Sequence, residues 1–239
     1  MKIFTAIFYG MLCEMRSFMR VKKAFFFSFI FPIFLYLVFV LIWGNGSPEY
    51  SYFLLTGIIA ITTVSNSMMA IGDVIVKYTE NGLLREFKTM TYNFNYHVAS
   101  LVMSRLVMLL AATAVLLAFA VLFNHLSFTI SDLCRIVCGI FFGMILFSLI
   151  GVLLGEFVES KKSDNTVMNF LFYIFLFVSD AFYPASTMNP VLGYIFVFNP
   201  ITPMLNIMRG IGFYWPGVIW IVALAMAQII GFKYLRLKR

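Results

Sequence analysis

The chain has 239 residues, of which 62% are hydrophobic and only 11% are charged, and its mean hydropathy is +0.97. Soluble domains carry about 25% charged residues, so this composition excludes a fold surrounded by water. The net charge of +7 does not indicate nucleic-acid binding, because the basic residues flank apolar runs. The chain's three cysteines show no metal-ligand spacing.

Six apolar runs are each long enough to cross a bilayer, which requires roughly 20 residues. The sequence therefore predicts an all-α integral membrane protein that forms a single domain over residues 1–239. The six predicted transmembrane helices cover residues 25–43, 52–71, 98–123, 134–155, 167–183 and 216–235.

The distribution of basic residues predicts the orientation of these spans. Fifteen of the 17 basic residues fall on one side of the six-span arrangement, and only Arg135 and Arg209 fall on the other. Cytoplasmic loops are enriched in Lys and Arg. Both termini are therefore predicted to lie in the cytoplasm.

Residues 1–23 are typical of an amphipathic helix in the membrane interface. Apolar residues such as Phe4, Ile7 and Phe8 recur at three- and four-residue intervals, with charged residues between them. Two interpretations remain open. The helix is either a simple topology anchor or an elbow that also contacts a cytoplasmic partner.

Three features of the spans concern packing. Pro32 should kink the first span. In the second span, Thr62, Asn66 and Asp73 form a polar stripe that suits either helix–helix hydrogen bonding or the lining of a pathway. The fourth span carries two small-xxx-small pairs, Gly139–Gly143 and Gly151–Gly155, which indicate tight packing within the chain.

The segment 184–215 mixes prolines with apolar stretches that are too short to cross the membrane. Segments of this kind are typical of re-entrant or interfacial pieces, whose backbone must be sheltered by protein or open to water. We therefore expect a re-entrant segment on the outer side, between spans five and six.

The sequence contains no candidate catalytic or metal-binding residues. It has no G-x-x-x-x-G-K-[ST] motif and no H-E-x-x-H or G-x-S-x-G motif. Its ionisable residues fall near the span ends, so a proton relay through the midplane is not evident. The chain is predicted not to be an enzyme, and energy for transport must come from outside it.

Residues 72–97 form a charged cytoplasmic segment between spans two and three. Residues 80–90 read E-N-G-L-L-R-E-F-K-T-M, with an apolar edge beside charges. Such an edge suits packing on a partner protein or on lipid headgroups.

Two ordered motifs resemble those of the ABC-2 type permeases, the membrane half of ATP-binding cassette exporters. The first is the segment at residues 80–90, which follows the family pattern E-x-G-x-L-[RK]-x-[LF] until Met90 stands where proline is usual. The second comprises Ser179–Pro184, Asn199–Thr202 and Arg209, with Asp180 in place of a small residue. The resemblance covers essentially the whole chain.

The resemblance implies the partners and their contacts. Two copies of a nucleotide-binding ATPase subunit would hold ATP and Mg²⁺, while this chain holds no cofactor itself. A second permease copy or a paralogue would complete the assembly, in the lipid of a bacterial plasma membrane. The coupling residues would be Glu80, Gly82, Leu84, Arg85 and Phe87, and a second cytoplasmic contact would be made by Glu159, Lys161 and Lys162.

The implied activity is export of an amphipathic or apolar drug, lipid, peptide or glycan. The alternatives are an ATP-independent membrane scaffold and an ion-coupled secondary carrier. Candidates for the substrate pathway are Thr62, Asn66, Tyr173 and Phe177, and the outer gate region would comprise Asp180, Pro184, Asn199, Pro200 and Arg209.

Overall fold

A computed structural model describes residues 2–43, 47–80, 94–157, 166–182, 184, 190–212 and 215–237. All regular secondary structure within these ranges is helical. The third helix, α3, joins Pro48–Val64, the π turn Ser65–Met69 and Ala70–Glu80. The other helices of the described ranges are α1 (Lys2–Arg20), α2 (Lys22–Trp43), α4 (Phe94–Asn124), α5 (Ile130–Phe157), α6 (Thr166–Phe177), α7 (Pro190–Val197), α8 (Ile201–Arg209) and α9 (Trp215–Leu237).

The helices confirm the prediction of an all-α membrane fold. Within the described residues, four helices are long and apolar enough to cross a bilayer: Lys22–Trp43, Pro48–Lys77, Tyr96–Asn124 and Ile130–Gly155. They correspond to the first four predicted spans. The second extends beyond its predicted range of 52–71, because α3 continues as a helix to Glu80.

The predicted fifth span, 167–183, is helical only as far as Phe177 and then turns through residues 178–182. The 12 residues of α6 extend about 18 Å at 1.5 Å per residue, which is less than the hydrocarbon thickness of about 30 Å. α9 has 23 residues, and its described apolar stretch is Trp215–Gln228. The six-span count, the orientation and the re-entrant segment stay predictions.

The first span contains a π turn at Phe26–Ile30. Pro32 lies two residues after the turn and has no N–H to donate to the carbonyl four residues earlier, at Ser28. A wider turn at this point accommodates the missing hydrogen bond. The sequence predicted a local distortion here, and the structure gives its form.

α3 lies at the centre of the described chain. Ten of its residues from Leu54 to Val64 are buried, and two of these ten are threonines. The hydroxyls of Thr56 and Thr63 donate to the carbonyls of Phe53 and Ile59, both at 2.8 Å, so their polarity is satisfied within the helix. α2, α4, α5, α6 and α8 all pack against α3.

The glycines of α5 allow it to approach α3 and α8 closely. A Cβ atom added to Gly151 would lie 2.5 Å from the backbone oxygen of Met68. Added to Gly143, it would lie 2.1 Å from the sulfur of Met204 and 3.0 Å from the Thr63 side chain. Both small-xxx-small pairs therefore serve packing within the chain, as their spacing predicted.

The amphipathic helix α1 packs along α4. Phe18 is buried in this contact, whereas Phe4, Phe8 and Tyr9 are exposed. An exposed aromatic face on a helix of this kind suits the boundary between headgroups and acyl chains.

Gly151→Ala should destabilise the protein by about 1–3 kcal/mol, because the new methyl group meets fixed backbone. The measurement is the thermal midpoint of the detergent-solubilised chain. Gly72→Ala is the matched control. A Cβ atom at Gly72 would lie 2.5 and 2.8 Å from the sulfur and terminal methyl group of Met168, which can move aside, and 3.2 Å from the backbone oxygen of Gly151. Substitution of Gly72 should therefore cost less than that of Gly151. Equal midpoints for the two variants would contradict the close approach of α5 to α3.

Candidate functional site

Arg209 of α8 contacts the N-terminal part of α3 and the turn after α6. Its guanidinium lies over the ring of Phe53, 3.7 Å from the ring centroid. Nε donates to the hydroxyl of Thr56 at 3.1 Å, and one Nη donates to the carbonyls of Phe53 at 3.2 Å and Asp180 at 2.8 Å. We call Arg209 with Phe53, Thr56, Asp180 and Asn199 the arginine clamp.

The arginine stays positively charged in this half-buried position. Burial lowers the pKa of Arg209 to about 10, while the carboxylate of Asp180 acts to raise it. α8 has only nine residues, too few to cross a bilayer. The charge of Arg209 is compensated by carbonyl dipoles and by the face of the Phe53 ring, which are favourable partners for a desolvated guanidinium.

Asn199 satisfies the carbonyls at the end of α6. Its amide group donates to the carbonyl of Phe175 at 2.8 Å and to that of Val178, and its side-chain oxygen accepts from the N–H of Ile201 at 2.8 Å. The last carbonyls of a helix have no partner within the helix. One buried side chain therefore ends α6 and begins α8, with Pro200 buried between them.

The turn after α6 packs directly on α3. A Cβ atom added to Gly57 would lie 1.8 Å from the backbone oxygen of Ala181, so only glycine fits there. The hydroxyl of Tyr50 donates to the carbonyl of Phe182 at 3.1 Å. The structure thus joins Asp180 and Arg209 of the predicted outer gate region beside α3. Asn199 and Pro200 of that region are buried between α6 and α8, and Pro184 is half-buried.

The predicted pathway residues lie in two different settings. Asn66 is buried, accepts from the hydroxyl of Ser28 at 3.1 Å and donates to the carbonyl of Thr62 at 2.9 Å. It therefore joins the π turns of α2 and α3. Tyr173 and Phe177 stack on each other with ring centroids 6.4 Å apart, and both are exposed on α6.

A second polar group, which we call the charge cluster, lies between α1, α3 and α4. Glu14 lies 3.9 Å from His97, and the guanidinium of Arg105 lies 4.5 Å from the ring centroid of Phe18. The carboxylates of Glu14 and Asp73 both interact electrostatically with Arg105. These residues connect α1 and α4 to the part of α3 that leads to Glu80.

Glu80 is the last residue of α3. The other predicted coupling residues, Gly82, Leu84, Arg85 and Phe87, lie outside the described residues, as do Glu159, Lys161 and Lys162. Their assignment stays a prediction.

Sequence reasoning missed Phe53 and Thr56 as partners of Arg209, and it did not connect Glu14 with Arg105. One signal was available for the first miss. A cation in an apolar segment must find dipoles or aromatic faces nearby, and Phe53 and Thr56 are such groups. The partners themselves are 156 and 153 residues away in sequence, so spacing gave no hint of the pairing.

Arg209→Ala should lower the thermal midpoint more than Arg209→Lys, and Thr56→Val should lower it least. Removing a hydrogen bond to a charged group costs about 1.5–3 kcal/mol, and alanine removes all three hydrogen bonds of the guanidinium as well as its contact with the Phe53 ring. Lysine keeps the charge but lacks the planar fork. The measurement is thermal unfolding in detergent. If Arg209→Ala has the same thermal midpoint as the wild type, the clamp contributes nothing to stability.

The comparisons with known proteins agree with this architecture. No curated protein sequence matched the chain. The family model for the ABC-2 type transporter matches residues 5–213, which includes most of α1, the four long helices and the arginine clamp. The chain therefore belongs to the ABC-2 type transporter family.

Proposed function

We propose that this chain is the permease subunit of an ATP-driven exporter, in which two separate ATPase subunits supply the energy. A second permease copy or a paralogue would complete a pathway for an amphipathic or apolar cargo. One observation carries the proposal. α3 runs without interruption from the arginine clamp to Glu80, where the predicted coupling segment begins.

α3 has the properties of a transmission element. Its three parts contain 17, 5 and 11 residues, which corresponds to about 50 Å of helix. The π turn at Ser65–Met69 lies near the middle, and single π turns in α-helices are often found at functional sites. A displacement of the end of α3 at Glu80 would therefore be transmitted along the helix to the arginine clamp. The π turn would be the point at which the helix bends.

The charge cluster, which lies on the part of α3 that leads to Glu80, supports the same mechanism. Arg105 on α4 interacts with Glu14 on α1 and with Asp73 on α3. A movement of the coupling segment would shift Asp73 relative to Arg105 and so change the strength of their electrostatic interaction. α1 and α4 would then follow α3, and binding of ATP by the partner subunits would bias the balance between the resulting states.

The aromatic face of α6 and the exposed face of α2 are our candidates for the wall of a cavity between two protomers. On α2, Phe27, Ile30 and Phe34 are exposed. Large apolar side chains favour an amphipathic or apolar cargo. The exposed apolar residues of α6 are Val167, Phe170, Tyr173, Ile174 and Phe177.

The native cysteines test the proposed orientation. Cys13 and Cys134 are both exposed, and the orientation places them on opposite sides of the membrane. In intact cells, a membrane-impermeant maleimide should label a variant that retains only Cys134 and should spare one that retains only Cys13. Permeabilised cells should show labelling of both. Labelling of Cys13 in intact cells would reverse the orientation.

The coupling assignment is tested by alanine substitution at residues 80 and 85. The double variant Glu80→Ala, Arg85→Ala should retain at most about a tenth of the ATPase subunit that co-purifies with the wild-type chain. Loss of a charge pair worth about 1.4 kcal/mol suffices for a tenfold change. The measurement is the yield of a co-expressed P-loop ATPase subunit, if the adjacent coding region specifies one, after detergent extraction and affinity capture.

Glu49→Ala is the matched control, because Glu49 is an exposed carboxylate at the opposite end of α3. It should leave co-purification unchanged. The isolated chain should hydrolyse no ATP. Normal capture by the double variant would contradict the coupling role, and transport by the chain without any ATPase would favour the ion-coupled carrier instead.

A further inference from the structure

A cavity of about 440 Å³ lies between α5 and the end of α8. Apolar side chains line most of it, and Arg135 is the charged residue in its wall. Arg135, Cys138, Gly210 and Gly212 are all exposed, so the cavity opens onto the surface of the protein. The remaining lining residues are Phe142 and Ile207.

Arg135 reaches this position because Gly210 has no side chain. A Cβ atom on Gly210 would lie 2.6 Å from a terminal nitrogen of the Arg135 guanidinium. Gly210 also adopts the left-handed conformation that ends α8, with φ of 72°. The glycine therefore both terminates α8 and leaves the space that the guanidinium occupies.

The carboxylate of Asp132 does not occupy all the N–H donors of Arg135, so some of them can bind another anion. Asp132 lies 3.6 Å from Arg135, which is longer than a direct charge-assisted hydrogen bond of about 2.7–2.9 Å. The same carboxylate accepts from the N–H and hydroxyl of Thr129 at 3.0 and 2.6 Å. A guanidinium carries five N–H donors in a fork that matches a phosphate group.

The predicted topology makes this cation unusual. Arg135 and Arg209 are the two basic residues that it places on the outer side, and Arg209 is held by the clamp. Apart from Asp132, the cavity wall beside Arg135 is apolar, and Arg135 itself is exposed. Phe141 and Ile211 flank the cavity with 45% and 71% of their surfaces exposed, as expected for side chains that face acyl chains.

We propose that the cavity binds an anionic glycerophospholipid of the surrounding leaflet, with Arg135 at the headgroup phosphate and an acyl chain along Phe142 and Ile207. The positive charge of Arg135 favours an anionic headgroup, and the apolar wall favours an acyl chain over water. This site requires neither an ATPase partner nor a cargo. Its failure would therefore leave the proposed transport function untouched, and the converse also holds.

Cys138 reports on occupancy because it lines the cavity, whereas Cys134 is also exposed on α5 but does not line it. Two variants of the full chain, each retaining one of these cysteines, are alkylated with a small maleimide in detergent. Dioctanoyl phosphatidylglycerol, dioctanoyl phosphatidylcholine or inorganic phosphate is added. Phosphatidylglycerol should slow alkylation of Cys138 about fivefold more than phosphatidylcholine, the effect of one basic residue near a membrane surface. Cys134 should show no such difference.

Substitutions at the rim complete the test. Arg135→Gln should abolish the preference for phosphatidylglycerol, and Arg135→Lys should retain part of it. Asp132→Asn removes a competing charge without removing the guanidinium, and it should strengthen the preference. Equal protection by the two lipids, equal protection of both cysteines, protection by phosphate alone, or a preference that survives Arg135→Gln would each overturn the proposal.

Discussion

The close contact between α5 and α3 is the constraint on which the rest of the structure depends. Lipid tails are as apolar as leucine, so helices in a bilayer associate through close packing and hydrogen bonds rather than through hydrophobic burial. Gly151 against the backbone of Met68, and Gly143 beside Thr63, supply that packing. α8 rests on the same face of α5, where Gly139 meets Met208, and its position in turn carries Arg209 to α3.

Two polar assemblies then fix α3 at its two ends. The arginine clamp joins its first turns to α8 and to the turn after α6, and Asn199 holds that turn in place. The charge cluster joins its last turns to α1 and α4. Between them, the π turn and the Ser28–Asn66 hydrogen bond link α3 to α2. Buried hydrogen bonds such as those of Arg209, Asn199 and Asn66 favour one arrangement of the helices, because an unpaired polar group in the interior is costly.

Much of the helical layout was predictable because hydrocarbon imposes a length and a composition on any span. The first four apolar runs are helices, Pro32 marks a distortion, and the glycine pairs mark a tight interface. The ends of elements were less predictable. α6 ends at Phe177, where Asn199, 24 residues from Phe175, donates a hydrogen bond to the Phe175 carbonyl. Local pattern carries no information about such a distant partner.

The sequence by itself determined that this is a helical membrane protein and, through two ordered motifs, which family it resembles. Apolar runs and motif order are local properties of the chain, so they can be recognised without coordinates. Only the tertiary structure decided that Asp180 and Arg209 of the second motif meet beside α3 and that Arg135 lies at the mouth of an apolar cavity. Both depend on side chains that meet across many tens of residues, where the packing of glycines sets the distances.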